Sequence, residues 1–162
     1  MTSSPKNFTK HLVLAPARLL LSPGFLAIAL HRIAHAAYPH TIVGRATAKI
    51  VWRINVLLTG CHISPRARIG ARLQIPHAAG VVIGDGCIIG DDVTLYQNVT
   101  LGQKNDVYPR IANGAVICSG AVVLGGITVG EHAVVGANAV VLADVPARAC
   151  AAGVPARIIK TN

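Results

Sequence analysis

Across residues 63–146 an aliphatic residue returns at every sixth position, and that period predicts the fold. The series runs Ile63, Ile69, Ile75, then Ile83, Ile89, Leu95, Leu101, then Ile111, Ile117, Val123, Val129, Val135 and Val141. Four positions after most of these stands a small or aliphatic residue, among them Ala67, Ala79, Cys87, Ala115 and Ala139. A hexapeptide period belongs to a parallel β-helix, in which short strands separated by tight turns stack coil on coil. The sixth-position residue points inward, and the residue four further on must fit the same interior corner. Two rows break the phase: two extra residues follow Ile75 and four follow Leu101. These predict a bulge at His77 and a loop over residues 103–109. On a regular prism an insertion is where a site can be built, although a plain surface loop is the commoner outcome.

Ahead of the repeats the pattern changes. Residues 10–21 are apolar but interrupted by Pro16, and read as a short helix or two turns that Ser22-Pro23-Gly24 stops. Residues 25–37 lack internal Gly and Pro and read as a helix, with His31, Arg32 and His35 forming one wet face and Pro39 ending it. A second helix is expected from the N-cap Thr41 to Leu58, with Ile50, Ile54, Leu57 and Leu58 on one side, Arg45, Lys49 and Arg53 on another, and Gly60 as its stop. Beyond Pro146 the period ends. The expected plan is a helical segment over 1–60, a β-helix over 61–146 and a tail over 147–162.

Composition agrees with a continuous aliphatic core: of 162 residues, 52% are hydrophobic and only 13% charged. The formal net charge is +9, and all 6 acidic residues lie in the repeats, so residues 1–58 carry no carboxylate. An anionic partner is the natural candidate, either phospholipid head groups or an acidic substrate, with a merely solvated basic face as the alternative. Nucleic acid is not indicated, because neither a reading helix nor an aromatic stacking platform is visible. Cys61, Cys87, Cys118 and Cys150 show no CxxC spacing and read as small core or turn residues of a reduced, cytoplasmic protein. The apolar run over residues 19–30 is bounded by Arg18 and Arg32 and is too short to span a bilayer. Peripheral contact with the inner face of the membrane is therefore the membrane role considered.

Two strings are more specific than the period. Pro76-His77-Ala78-Ala79-Gly80-Val81-Val82-Ile83-Gly84 and Leu95-Tyr96-Gln97-Asn98-Val99-Thr100-Leu101-Gly102, with Gly153-Val154-Pro155-Ala156-Arg157 near the end, resemble the serine O-acetyltransferases. The resemblance covers about residues 24–160. It implies a left-handed β-helix with an N-terminal helical segment, transfer of an acetyl group from acetyl-CoA to a hydroxyl, and no metal. It also implies a homotrimer with active sites between neighbouring prisms. An alcohol needs a base as it attacks a thioester, and imidazole suits that work. His77 is the residue matched to it. Gly102, Ser119, Ala137, Arg157 and Lys160 fall at positions that flank the cofactor in relatives.

The departures shape the acceptor. Where the family has an Asp that orients the catalytic histidine this chain has His62, and a second Asp becomes Pro76. The Arg-His pair that holds the amino acid's carboxylate corresponds to Val107-Tyr108. A pocket lined by Tyr96 and Tyr108 suits a neutral ring, so the expected acceptor is a sugar of a bacterial surface polysaccharide or its lipid-linked precursor. The pattern is closest to polysaccharide-biosynthesis acetyltransferases in this respect. His62 or a backbone carbonyl is expected to orient His77. The alternatives are a serine O-acetyltransferase with an altered pocket, a γ-type carbonic anhydrase with zinc on His62, His77 and His132, and a non-catalytic scaffold.

Overall fold

The computed structural model describes residues 22–38 and 41–161, so the element expected over residues 10–21 and the stop at Pro39 lie outside the described residues. Helix α1 (Pro23–Ala37) begins at the segment expected to break its predecessor: Ser22 is its N-cap, accepting from the Phe25 N–H at 3.2 Å, and Pro23 stands where a missing N–H costs nothing. Helix α2 (Ile42–Thr59) follows the sequence closely. The Thr41 hydroxyl accepts from the Gly44 N–H at 2.9 Å, and Gly60 closes it in a left-handed conformation.

From there the chain winds into a three-faced prism. The first face carries β1 (His62–Ile63), β3 (Val82–Ile83), β6 (Thr100–Gly102), β9 (Val122–Leu124) and β12 (Val140–Val141). The second carries β2 (Arg68–Ile69), β4 (Ile88–Ile89), β7 (Arg110–Ile111) and β10 (Thr128–Val129). The third carries β5 (Thr94–Leu95), β8 (Val116–Ile117), β11 (Val134–Val135) and β13 (Ala149–Gly153), with β14 (Ala156–Thr161) folded back antiparallel. All other pairings between these strands are parallel, in a register that repeats from coil to coil: His62, Val82, Thr100, Val122 and Val140 form one column. β13 stacks on β11, so the start of the C-terminal tail extends the third face.

Every aliphatic residue of the six-residue series is buried, each such side chain contributing about 1.5–3 kcal/mol of transfer free energy. In the bulged row the corner slot moves: Ala78 and Val81 are buried and Ala79 turns outward, because two extra residues rotate the chain relative to its period. The acidic residues largely join one coil to the next. Asp85 pairs with Arg66 at 3.1 Å and accepts from the Ser64 hydroxyl at 2.6 Å, Asp91 accepts from the Ala71 N–H at 2.7 Å, and Asp144 accepts from the Thr128 N–H at 2.7 Å. The Arg72–Asp92 pair is bidentate, and Arg72 holds the Asp92 carboxyl below its usual range.

The wet face expected on α1 holds for Arg32 and His35, which are exposed, and is corrected at His31. His31 is 1% exposed, whereas Arg32 and His35 stay exposed while their polar tips reach the prism. A stacked sheet leaves the carbonyls of its first coil without a neighbour, and donors must cover them. Arg32 donates to the Ile69 carbonyl at 2.6 Å and to the Gly70 carbonyl, and a His35 ring nitrogen lies 2.7 Å from the Pro65 carbonyl oxygen. Gly24 lies so close to the Ile75 carbonyl that no side chain fits between. Asn55 of α2 donates to the Ala27 carbonyl at 2.9 Å, tying the two helices together. The helical segment therefore caps the open end of the prism.

Candidate active site

His77 occupies the bulge and is exposed, at the edge where the third face turns into the first. No described residue hydrogen-bonds to its ring. The turns above it are stacked by backbone bonds: Asn98 N–H to the Ala79 carbonyl at 3.0 Å, Gly120 N–H to the Gln97 carbonyl at 3.0 Å, and Asn138 N–H to the Ser119 carbonyl at 2.9 Å. Gly80 and Gly120 have φ of 69° and 70°, and the carboxamides of Asn98 and Asn138 fill the space their Cβ atoms would need. Ser119 and Ala137 thus stand on the same edge as His77.

Two more residues join this column. Tyr96, half-buried, directly follows β5 on the third face and precedes Gln97. The Gln97 Oε1 atom is buried with no hydrogen-bond partner among the described residues, an acceptor that lacks a donor. Sequence reading passed over Gln97, although it lies inside the Leu-Tyr-Gln string; only its burial marks it out. At the top of the column, β14 sets Arg157 opposite Ala152 and Lys160 opposite Cys150. Both cations are exposed.

The remaining expected residues stand elsewhere. Gly102 ends β6 towards the opposite edge, where an added Cβ would lie 2.9 Å from Leu124 Cδ2. Tyr108 is spread over the Gly84–Gly86 turn at that opposite edge, its Cε1 only 2.7 Å from where a Cβ on Gly84 would be. Val107 packs beside Gly126. Within one chain, then, Tyr96 and Tyr108 do not meet, and a pocket using both needs the edges of two prisms. His62 is exposed on the first face with its ring edge-on to Trp52, centroids 5.7 Å apart, and no hydrogen bond joins it to His77. His132 stacks over Gly114 at another corner. Among the described residues no cluster of three or more His, Cys, Asp or Glu stands ready to hold a metal. The cysteines are free, and burial pushes the Cys61 and Cys87 thiols up to about 12.

A hexapeptide prism with an exposed histidine at the foot of a stacked edge is a frame on which acyl transfer to a hydroxyl can be built, and its relatives place the chain among the hexapeptide-repeat transferases. Residues 108–143 match the family model described as bacterial transferase hexapeptide (six repeats). The chain is 45% identical over 148 residues to the serine acetyltransferase of Bacillus pumilus, covering 89% of this chain and 67% of that protein. It is 42% identical over 145 residues to the serine acetyltransferase of Synechococcus elongatus, covering 87% of this chain and 59% of that one. The Brucella abortus serine acetyltransferase in complex with coenzyme A superposes with a TM-score of 0.81 at 36% identity, over 86% of this chain and 57% of that chain. Soybean serine acetyltransferase complexed with serine gives 0.82 at 41% identity, over 87% and 59%. The chain belongs to the serine acetyltransferase family of hexapeptide-repeat transferases. It shares their left-handed β-helix, and these relatives place it with the serine enzymes rather than the polysaccharide enzymes that its pocket residues suggested. No described helix is long and apolar enough to cross a membrane.

Proposed function

We propose that this chain is an acetyl-CoA-dependent O-acetyltransferase of the serine acetyltransferase type, with L-serine as the leading acceptor. The observation that carries the reading is the continuous edge from His77 through Gln97, Ser119 and Ala137 to Arg157. It climbs about four coil steps of ~4.8 Å, roughly 19 Å in all, long enough for an extended pantetheine arm. Arg157 and Lys160 at its top are cations suited to the phosphates, and the unpartnered Gln97 Oε1 suits an amide N–H of that arm. At its foot, neutral His77 takes the hydroxyl proton as the oxygen attacks the thioester carbonyl. The tetrahedral intermediate collapses to the ester, and the leaving thiolate takes the proton back from the imidazolium.

The relatives support serine; the residues around the site support a second acceptor. Pro76, Val107 and Tyr108 offer no counter-charge at positions where an amino acid would need one, and an unpaired charge in a partly dry pocket is expensive. A sugar hydroxyl of a surface polysaccharide or its precursor fits those side chains. Thiol release from acetyl-CoA with L-serine and with a panel of neutral glycans separates the two. Saturable turnover of serine is expected; glycan turnover with serine inert transfers the proposal to the second acceptor, and no turnover with either ends it.

The assembly proposed is a homotrimer. Val82, Val122 and Val140 face outward in one column on the first face, and a trimer brings the Tyr108 edge of one prism to the His77 edge of the next. Light scattering at working concentration should give three times the chain mass. A monomer would remove the shared site.

A further inference from the structure

Between α2 and the first face runs a cleft of about 490 Å³, lined by Lys49, Trp52, Arg53, His62, Arg66 and Asp85 among others. Its charges do not cancel. Asp85 is the one carboxylate in the lining and is already engaged, at 3.1 Å by Arg66 and at 2.6 Å by the Ser64 hydroxyl. Lys49 and Arg53, one helical turn apart, make no ion pair or hydrogen bond to any described residue's carboxylate. Like charges at this spacing oppose each other on a helix, and nothing in the cleft offsets them. The same lining includes Val82 and the indole of Trp52, which meets the His62 ring edge-on at 5.7 Å between centroids. Two forked or mobile cations beside an apolar wall form a seat for an oxyanion attached to a small organic body.

The position of this seat ties it to the chemistry. His62, which lines the cleft, pairs in register with Val82, and just before it the Gly60 carbonyl accepts from the Gly80 N–H at 3.0 Å. Gly80 belongs to the bulge that carries His77. The cleft therefore ends beside the coil that holds the base. The loop positions Val107 and Tyr108 are packed on the prism and are uncharged, so a counter-charge for an acidic acceptor has to come from another element.

We propose that this cleft holds the anionic group of the acceptor, a carboxylate or a phosphate, on Lys49 and Arg53, while the acceptor's hydroxyl end is presented to His77. The inference rests on the acetyl-transfer reading above for the word acceptor, but the anion site is tested apart from it. Trp52 is the sole tryptophan of the chain and lines the cleft, so its fluorescence reports occupancy without turnover. The probes are two pairs matched in shape: L-serine with L-serinamide, and glucose 1-phosphate with glucose. Each is titrated into the full-length wild type and into the Lys49→Gln/Arg53→Gln double variant, with thiol release measured in parallel.

In the wild type the anionic member of at least one pair should bind about tenfold or more tighter than its neutral partner, the size expected for a charge-assisted contact. The double variant should abolish that preference and raise KM for the anionic acceptor by a similar factor, with kcat and the KM for acetyl-CoA little changed. A preference confined to serine identifies a carboxylate, and one confined to glucose 1-phosphate identifies a phosphate. Equal binding of both members in both pairs, or an unaltered preference in the double variant, overturns the inference. A retained Trp52 response with no thiol release from any acceptor would instead sink the acetyl-transfer reading and leave the anion site standing.

Discussion

His77→Ala should lower turnover by about 10²–10⁴-fold, the range for loss of a general base, while coenzyme A binds nearly as before. The prediction follows from placement. The ring stands in the bulge, exposed, with no described group bonded to it, so its removal costs no packing and leaves the stacked edge intact. Burst and steady-state thiol release, with a coenzyme A titration by calorimetry, would measure both quantities. Wild-type turnover in this variant would end the assignment of His77. His62→Ala is the companion: the His62 ring contacts Trp52 rather than His77, and full activity in that variant would remove it from any part in orienting the base.

The fold should weaken on mild acidification, through His31. Burial first, and then the charges of His35 and Arg32, lower its pKa from 6.5 to about 4, with only the Ser64 backbone favouring the charged form. The folded chain keeps His31 neutral where the unfolded chain already binds the proton. Its contribution to stability is therefore whole above about pH 6.5, and is lost as the pH falls from there towards 4. The shift corresponds to roughly 3 kcal/mol, a large share of a typical domain's margin. Denaturant midpoints at pH 7, 6, 5 and 4.5 should fall steadily, and His31→Leu should flatten that slope. Parallel slopes in the two proteins would show that His31 does not govern it.

The prism and both helix caps were legible in the sequence because each is encoded locally. An inward residue every sixth position, Thr41 and Gly60 at the ends of α2, and extra residues at the bulge and the loop all concern neighbours along the chain. The bulge that carries His77 was legible for the same reason, since an insertion in a strict period marks a place where the regular surface is broken. The assignment of His77 as the base rests on the motif resemblance, not on the period. The helical face of His31, Arg32 and His35 could not be read that way. Arg32 and His35 reach the first coil's carbonyls, which need donors, and which end of the prism lacks a neighbour is a fact of the stacked structure. Tyr108 gave no sign that it would lie across Gly84 and Gly86, some twenty residues back, because only the coil repeat brings those positions together. Lys49 and Arg53 read as one solvated face of a helix. That they line a cleft with Trp52 and His62, and that Gln97 buries an acceptor without a partner, was decided by how α2 and successive coils pack, since burial and the pairing of charges depend on what lies opposite.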